Sequence, residues 1–580
     1  MKRIFLFCFV ILLLFALVAC DGSEDTSFGE SSSTGENSDI IANESIDAEE
    51  SGNVSSDESI EESDPEKTLP ENPPPEPEGD GHLLELTINA EKNTTLKKDF
   101  SFVIDENRRC AVLKLDYYNY VDLYTLTNCH LDVSCSGEAE FSKINNDGSV
   151  DLTGELVISV KDANGLAKKY AVVVDRAVYK LPIINITLDD NKSIGDIDRN
   201  ETMTMTFSLD RSFEGEYSVS TIGGTIRGRG NSTWNWEKKP YKIKLDEKAS
   251  LFGMDDNRDW ILLANYADKS LIRNTLAYEL GRVLDAVSWS PHAYPVDLFV
   301  NGEYQGVYTL GEHMEVANGR MELEEGSTEV DTDYLLEVGG MAPTGDINGV
   351  HYFHTKDYLM KFATFKSPDY TEITEEQKKF LTDYFNKAQE AIKKGEGYEE
   401  YIDVDSFIDW IILHELSYNI DSCFRRSCFL VKEKGGKIKM AAYWDFDLAF
   451  GNFSHDNKNY DDLATYGSDD KDAYVSYNWC TYLFRDEEFC ERFTERWNAV
   501  RELILKTTDD TIEKYGSLLN GGSQQQNFTV WDVWDKRAGF QSKWCSAENT
   551  FEKQLNYLKK FVHNRAEFIE KTISDLPMSE

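Results

Sequence analysis

The chain runs to 580 residues with a formal net charge of −45 and a pI near 4.6. That length is more than one ordinary domain needs, and the acidic balance argues against a nucleic-acid partner. Ten cysteines show no zinc-site spacing; in an exported chain they permit disulfides, with Cys129/Cys135 and Cys423/Cys428 as local candidate pairs.

The N-terminus reads MKRIFLFCFVILLLFALVAC: Lys2 and Arg3, an apolar run from Ile4 to Val18, and a small residue before Cys20. The run is short and polar residues follow at once, which is the pattern of a signal peptide (1–20) rather than a spanning helix. Leu17-Val-Ala-Cys20 resembles a bacterial lipobox. It implies lipidation at Cys20 and an exported protein anchored to the outer face of the cell membrane; an ordinary cleavage site with Cys20 incidental is the alternative. No later stretch is long and apolar enough to span a bilayer. Residues 21–80 carry 20 acidic residues and one basic residue, with almost no aromatics. Such composition reads as a solvated spacer (21–81), closed by the stiff proline-rich LPENPPPEPEGDGH (69–82).

From Leu83 to Val174 short alternating runs such as CAVLKL (110–115) and KKYAVVVD (168–175) are separated by turn signals. They predict a small all-β, immunoglobulin-like sandwich (82–178) with a spacer or adhesion role. A new unit (180–575) opens with strands, including YKIKL (241–245), where Lys242 and Lys244 share a face. ADKSLIRNTLAYELGRVLD (267–285) predicts a helix with Asp268 as N-cap and Ile272, Leu276, Leu280 and Val283 on one side. Arg273 and Glu279 project away from that stripe, toward a nucleotide, a strand lysine or plain solvent. YPVDLFVNGEYQGVYTLGEH (294–313) predicts a hairpin turning at Asn301-Gly302, with Glu312 near its end. After residue 370 the character turns helical, with an apolar stripe through Phe407, Ile408, Ile411, Ile412 and Leu416 in 403–420. A second hairpin (428–447) turns at Gly435-Gly436, and 482–575 reads as mostly helical. Strands followed by helices predict an α+β unit with two lobes and a ligand site at their junction.

In TIGGTIRGRGNSTWNWEKKPYKIKL (221–245), glycines at 223, 224, 228 and 230 let backbone amides approach a ligand. Arg227, Arg229, Lys238, Lys239, Lys242 and Lys244 add positive charge. This combination suits a polyphosphate; a glycine-rich turn beside a solvated basic strand is the plainer alternative. Asp421 lies just past the predicted helix 403–420, and Asp445 and Asp447 follow in the strand-like run YWDFDLAFGN (443–452). Two carboxylates on one strand face are costly to bury without a positive partner. Three hard oxygen donors from two elements suit magnesium, manganese or calcium. The alternative has Asp447 capping the turn and Asp421 the helix end, with Asp445 unexplained.

RGRGNSTWNWEKKPYKIKL, DKSLIRNTLAYEL, NGEYQGVYTLGEH and NIDSCFRRSCFLVKEKGGKIKMAAYWDFDLAFGN occur in that order. Together they resemble the CotH family, the atypical protein kinases of spore-coat type, over roughly residues 180–575. The resemblance implies a divergent two-lobed protein-kinase-like domain that binds ATP with Mg²⁺ or Mn²⁺ and phosphorylates serine on a surface or coat protein. It implies that Arg229, Gly230 and Asn231 cover the phosphates and that a lysine among Lys239, Lys242 and Lys244 contacts them. Arg273, Glu279 and Glu312 are further nucleotide-site candidates. Asp445 corresponds to the metal-binding aspartate of the DFG element, Asp421 to the aspartate of the catalytic loop, and Asp447 is a supporting metal ligand. Phosphoryl transfer needs this clamp, a metal and a carboxylate near the attacking hydroxyl, and it requires a lysine ammonium able to face the carboxylates across a cleft. One position departs from the pattern: Arg426 stands where family members often carry asparagine, and a cation cannot ligate a metal. A non-catalytic surface module (a pseudokinase) binding a nucleotide, a polymer or a partner protein is the alternative. A carbohydrate-active role, suggested by paired carboxylates and 11 tryptophans, leaves the basic glycine loop without a task.

Overall fold

Alternating apolar residues after Leu83 give each early strand one inward face, and two sheets close over it. The computed structural model describes residues 77–579 except 94–95, 97, 116–120, 122, 177–179, 190–191, 211–220, 340–351, 361, 370, 454–459, 470–473 and 538–540. The expected signal peptide, Cys20 and nearly all of the acidic spacer lie outside the described residues. Strands β1 (Leu83–Ile88), β2 (Phe100–Ser101) and β5 (Leu131–Cys135) form one sheet, ordered β2-β1-β5. The other holds β3 (Val103–Asp105), β4 (Cys110–Leu115), β6 (Glu138–Phe141), β7 (Leu156–Lys161) and β8 (Ala167–Arg176), ordered β3-β4-β8-β7-β6 with β4 and β8 parallel. Leu86, Ile88, Leu113, Ile158 and Tyr170 share their core. The expectation of an all-β unit needs one correction: helix α1 (Leu123–Thr127) sits between β4 and β5 and buries Leu126 in that core.

The next seven strands build a closed barrel: β9 (Ile183–Leu188), β10 (Met203–Asp210), β11 (Ile222–Gly228), β12 (Tyr241–Ala249), β13 (Asn257–Leu263), β14 (Ala293–Val300) and β15 (Glu303–Glu312). Neighbours are antiparallel except for the β9–β14 pair, which is parallel and completes the ring. Alternate residues point inward, so Ile186, Phe207, Ile243, Trp260, Leu298 and Leu310 fill the interior as a packed core. The β14–β15 hairpin turns where expected, with Asn301 (φ +53°) and Gly302 (φ +76°) both left-handed, as a tight hairpin requires.

Between β13 and β14 lies helix α2 (Arg273–Val283), shorter than the predicted 267–285. Asp268 explains the late start: its carboxylate accepts from the Ser270 and Arg273 backbone N–H groups at 2.9 and 2.8 Å, holding 268–272 as a turn with Leu271 at φ +62°. The remaining strands, β16 (Tyr334–Val338), β17 (Tyr352–Phe353), β18 (Ala363–Ser367), β19 (Cys428–Lys432) and β20 (Ile438–Ala442), form a sheet ordered β17-β18-β16-β19-β20. With it come α3 (Glu375–Lys394), α4 (Val404–Ser417), α5 (Trp479–Leu483), α6 (Glu487–Leu519), α7 (Ser523–Val530), α8 (Lys543–Ser546) and α9 (Phe551–Thr572). The chain is thus mixed α+β, with strands first and helices concentrated after residue 370, as the sequence indicates. Among the described residues no helix is long and apolar enough to cross a membrane.

The eight described cysteines are free thiols, so neither local pair anticipated from spacing is bonded. Cys129 is fully buried in the core of the two-sheet unit whereas Cys135 donates to the Gly137 carbonyl, and Cys423 faces the Thr465 carbonyl.

Helix α4 is buried on every side, so its polar residues need internal partners. Glu415 accepts from the Ala464 and Thr465 N–H groups, both at 2.7 Å, and from Arg565 at 3.1 Å. Arg565 also donates to the Glu415 and Asp462 carbonyls, pinning the chain at 460–465 to α4 and α9. Removing one partner strands a buried charge, so Arg565→Leu is expected to lower unfolding free energy by about 3–5 kcal/mol in urea denaturation.

Candidate functional site

A cleft of about 1230 Å³ opens between the rim of the barrel and the β16–β20 sheet. One wall carries Arg229, Gly230 and Asn231 from the turn after β11, with His313 and Glu315 from the end of β15. The other carries Glu337 and Lys366 from β16 and β18, Asp421, Arg425, Arg426 and Ser427 from the loop after α4, and Asp445 and Asp447 from the loop after β20. Three sequence-predicted carboxylates and the tip of the predicted glycine loop thus line one space.

The run 443–452 is not a strand. β20 ends at Ala442, and Asp445 takes a left-handed backbone (φ +69°), so the two aspartates share no strand face. Neighbours impose that conformation: Asn419 and Ser422 donate to the Asp445 carbonyl at 3.2 and 3.4 Å, and the Phe446 N–H donates to Asn274 Oδ1 of α2 at 2.8 Å. Ser427 donates to the Asp445 carboxylate at 2.9 Å, leaving it open to the cleft. The Asp421 carboxylate accepts from the Tyr474 hydroxyl at 2.5 Å and lies 3.8 Å from Arg426 Nε.

The electrostatics are lopsided. Protein packed around Asp445 raises its pKa, Asp421 raises it further, and the Ser427 hydrogen bond and Arg229 oppose both. Asp447 is pushed well up, first by burial and then by repulsion from Asp445 and Asp421. Asp445 remains water-accessible, so its desolvation is that of a narrow cleft rather than a core. On the facing wall, burial together with Lys242, Arg229, Arg320 and Arg227 pushes His313 down to about 2, so its imidazole is neutral. Its Nδ1 is buried and unpartnered among the described residues.

Other predicted site residues lie elsewhere. Lys239 donates to the Trp234 and Trp236 carbonyls at 2.7 and 3.3 Å and sits over the Trp234 ring, behind the loop. Lys242 faces outward from the barrel, paired with Asp259 at 2.7 Å, and Lys244 is exposed on that face. Arg273 is fully buried against Asp268 and the Cys545 thiol, because the turn before α2 carries it inward. Glu279 pairs with Arg282 at 2.7 Å, and Glu312 is buried accepting the His292 N–H at 2.8 Å; neither lines the cleft. None of Lys239, Lys242 and Lys244 faces the carboxylates across the cleft, so the lysines named for that requirement do not meet it; the cation on that wall is Arg229. Of the loop glycines only Gly230 reaches the cleft, since Gly223 and Gly224 sit within β11 and Gly228 makes room for the Trp234 ring. Arg425, Tyr474, His313 and the Lys366–Glu337 pair (2.6 Å) were not singled out from sequence. No short motif marks them, and they meet only through folding.

A family model described as CotH kinase protein matches residues 226–569. No curated protein matches. Among solved structures, a candidate glycoside hydrolase from Bacteroides thetaiotaomicron aligns at 11% identity over 45% of this chain and 62% of its own, with a TM-score of 0.12. That score carries no inference about fold or chemistry.

A carboxylate whose pKa is raised in the fold destabilises it once ionised. The penalty is absent below the unfolded value of about 4 and grows as pH rises toward the folded value. Asp447→Asn is therefore expected to raise Tm at pH 7 by about 2–4 °C, with the gain vanishing near pH 4 in a thermal melt series.

Proposed function

The chain belongs to the CotH kinase protein family, and we propose that its cleft binds ATP with Mg²⁺ or Mn²⁺ and transfers the terminal phosphoryl group to a hydroxyl of a surface or spore-coat protein. One arrangement carries this reading: Arg229 and the Gly230–Asn231 turn stand across a single cleft from Asp421, Asp445 and Asp447.

The donor set is compatible with a divalent cation shared with phosphate. Among the described residues no group of three His, Cys, Asp or Glu side chains is placed to hold a metal alone. Magnesium ordinarily takes one or two carboxylates and completes its shell with phosphate oxygens and water. Asp445, raised by burial and Asp421, and Asp447, raised by burial and by Asp445 and Asp421, would be the two protein carboxylates. A cation bound there supplies neutralisation of the phosphate charge. Arg229 would hold phosphate oxygens with charge-assisted hydrogen bonds. Asp421 would accept the proton of the acceptor hydroxyl, with Tyr474 fixing one of its oxygens. Anchorage through Cys20 at the outer membrane face belongs to the same proposal.

A second reading rests on Arg426 and on the absence of Lys239, Lys242 and Lys244 from the cleft lining. The Arg426 guanidinium lies 3.8 Å from Asp421 and offers no metal ligand, which favours a pseudokinase that binds nucleotide without transfer.

Incubation with γ-labelled ATP and Mg²⁺ or Mn²⁺ separates the two. The kinase reading expects label transfer by the wild type and none by Asp445→Ala; binding without transfer supports the pseudokinase, and neither binding nor transfer sinks both. Arg229→Met is expected to weaken ATP about 10- to 100-fold in calorimetry, the scale of a lost hydrogen bond to a charged group.

A further inference from the structure

The cleft's arginines divide into two sets. Arg229 acts on Asp445 and Asp447, whereas Arg425 and Arg426 act on Tyr474, which holds Asp421. If Asp421 faces the acceptor hydroxyl, as in the reading above on which this inference rests, the second set flanks the acceptor.

Arg425 is built into place with no ion-pair partner among the described residues. Its guanidinium lies 3.7 Å from the Tyr474 ring centroid, and its Nη1 is buried with no hydrogen-bond partner among the described residues. The backbone beneath it is tightly constrained. Phe424 and Ser427 are left-handed at φ +41° and +52°, and a Cβ on Gly339 would stand 1.6 Å from the Arg425 carbonyl oxygen. Such local strain and close packing hold the arginines at the cleft rather than letting the loop relax. Arg426 beside it is half-exposed. Of the cleft's acidic residues, Glu315 pairs with Arg320, Glu337 with Lys366 and Asp421 with Arg426, while Glu325 accepts from Ser367 at 3.4 Å; Arg425 has no ion pair among the described residues.

We propose that Arg425 and Arg426 select the acceptor, binding carboxylates that flank a serine in an acidic peptide. Guanidinium forks match carboxylates in two-point hydrogen bonds, so this edge of the cleft discriminates acidic from neutral or basic sequence. The chain itself contains sequence of this chemistry: residues 55–64, SSDESIEESD, alternate serines with carboxylates and serve as a free synthetic probe.

The test uses the full chain, ATP with Mg²⁺, and three fluorescent peptides: SSDESIEESD, its Asn/Gln version, and its Lys version. Anisotropy reads binding, label transfer reads turnover, and ATP affinity is measured on the same samples. Tighter binding of the acidic peptide by tenfold or more is expected, with the acidic-to-neutral ratio falling about tenfold in Arg425→Met. Arg426→Glu, at a half-exposed position, should reverse the order in favour of the lysine peptide. Equal binding of all three peptides, or a wild-type preference for the lysine version, overturns the proposal. Acidic-peptide binding without label transfer retains it while rejecting the kinase reading, so the two fail separately.

Discussion

Asp445 and Asp447 stand two residues apart in a cleft where packing and repulsion from neighbouring carboxylates, Asp421 first among those acting on Asp445, oppose their ionisation. Here Asn419, Ser422 and Asn274 fix the peptide unit between Asp445 and Phe446, which keeps both carboxylates at the cleft. The site thus holds two carboxylates in a fixed place where a positive partner would lower the cost of ionising them.

That fixation depends on polar groups well behind the cleft. Asn274 lies on α2, whose start is set by the buried Asp268–Arg273 pair. Asn419 and Ser422 follow α4, which the Glu415–Arg565 pair ties to α9 and to residues 460–465. The charged residues of the deep interior therefore serve geometry: each fixes a loop that ends at the cleft. Arg273, expected at the nucleotide, belongs to this supporting layer.

The sequence revealed elements with strong local signals and missed those decided by tertiary contacts. Asn301-Gly302 and Gly435-Gly436 announced their hairpins because few residues other than Gly and Asn accept left-handed backbone cheaply. The carboxylates were legible because Asp445 and Asp447 stand two apart in the aromatic, apolar run 443–452, which holds no basic residue, with Asp421 just past a predicted helix. Barrel closure was not legible, since it rests on β9 meeting β14 in parallel, and pattern alone cannot say which strands meet. The strand-like reading of 443–452 failed for a related reason: aromatic, apolar residues follow period two whether they pair in a sheet or pack individually, as Trp444 and Phe446 do on Tyr278. The lysines misled because charge on a strand says nothing about which face the barrel turns outward.

The parallel closure also bears on how the chain reaches its fold. Ile183 of β9 meets Asp297 of β14, 114 positions later, while every other barrel pairing joins strands closer in sequence. Loop-closure entropy makes that contact among the last to be rewarded. Until β14 is formed, β9 and the growing meander present open edges able to pair with other chains. The slow step of assembly is thus set by topology, and the interval before ring closure is when this protein is most exposed to aggregation.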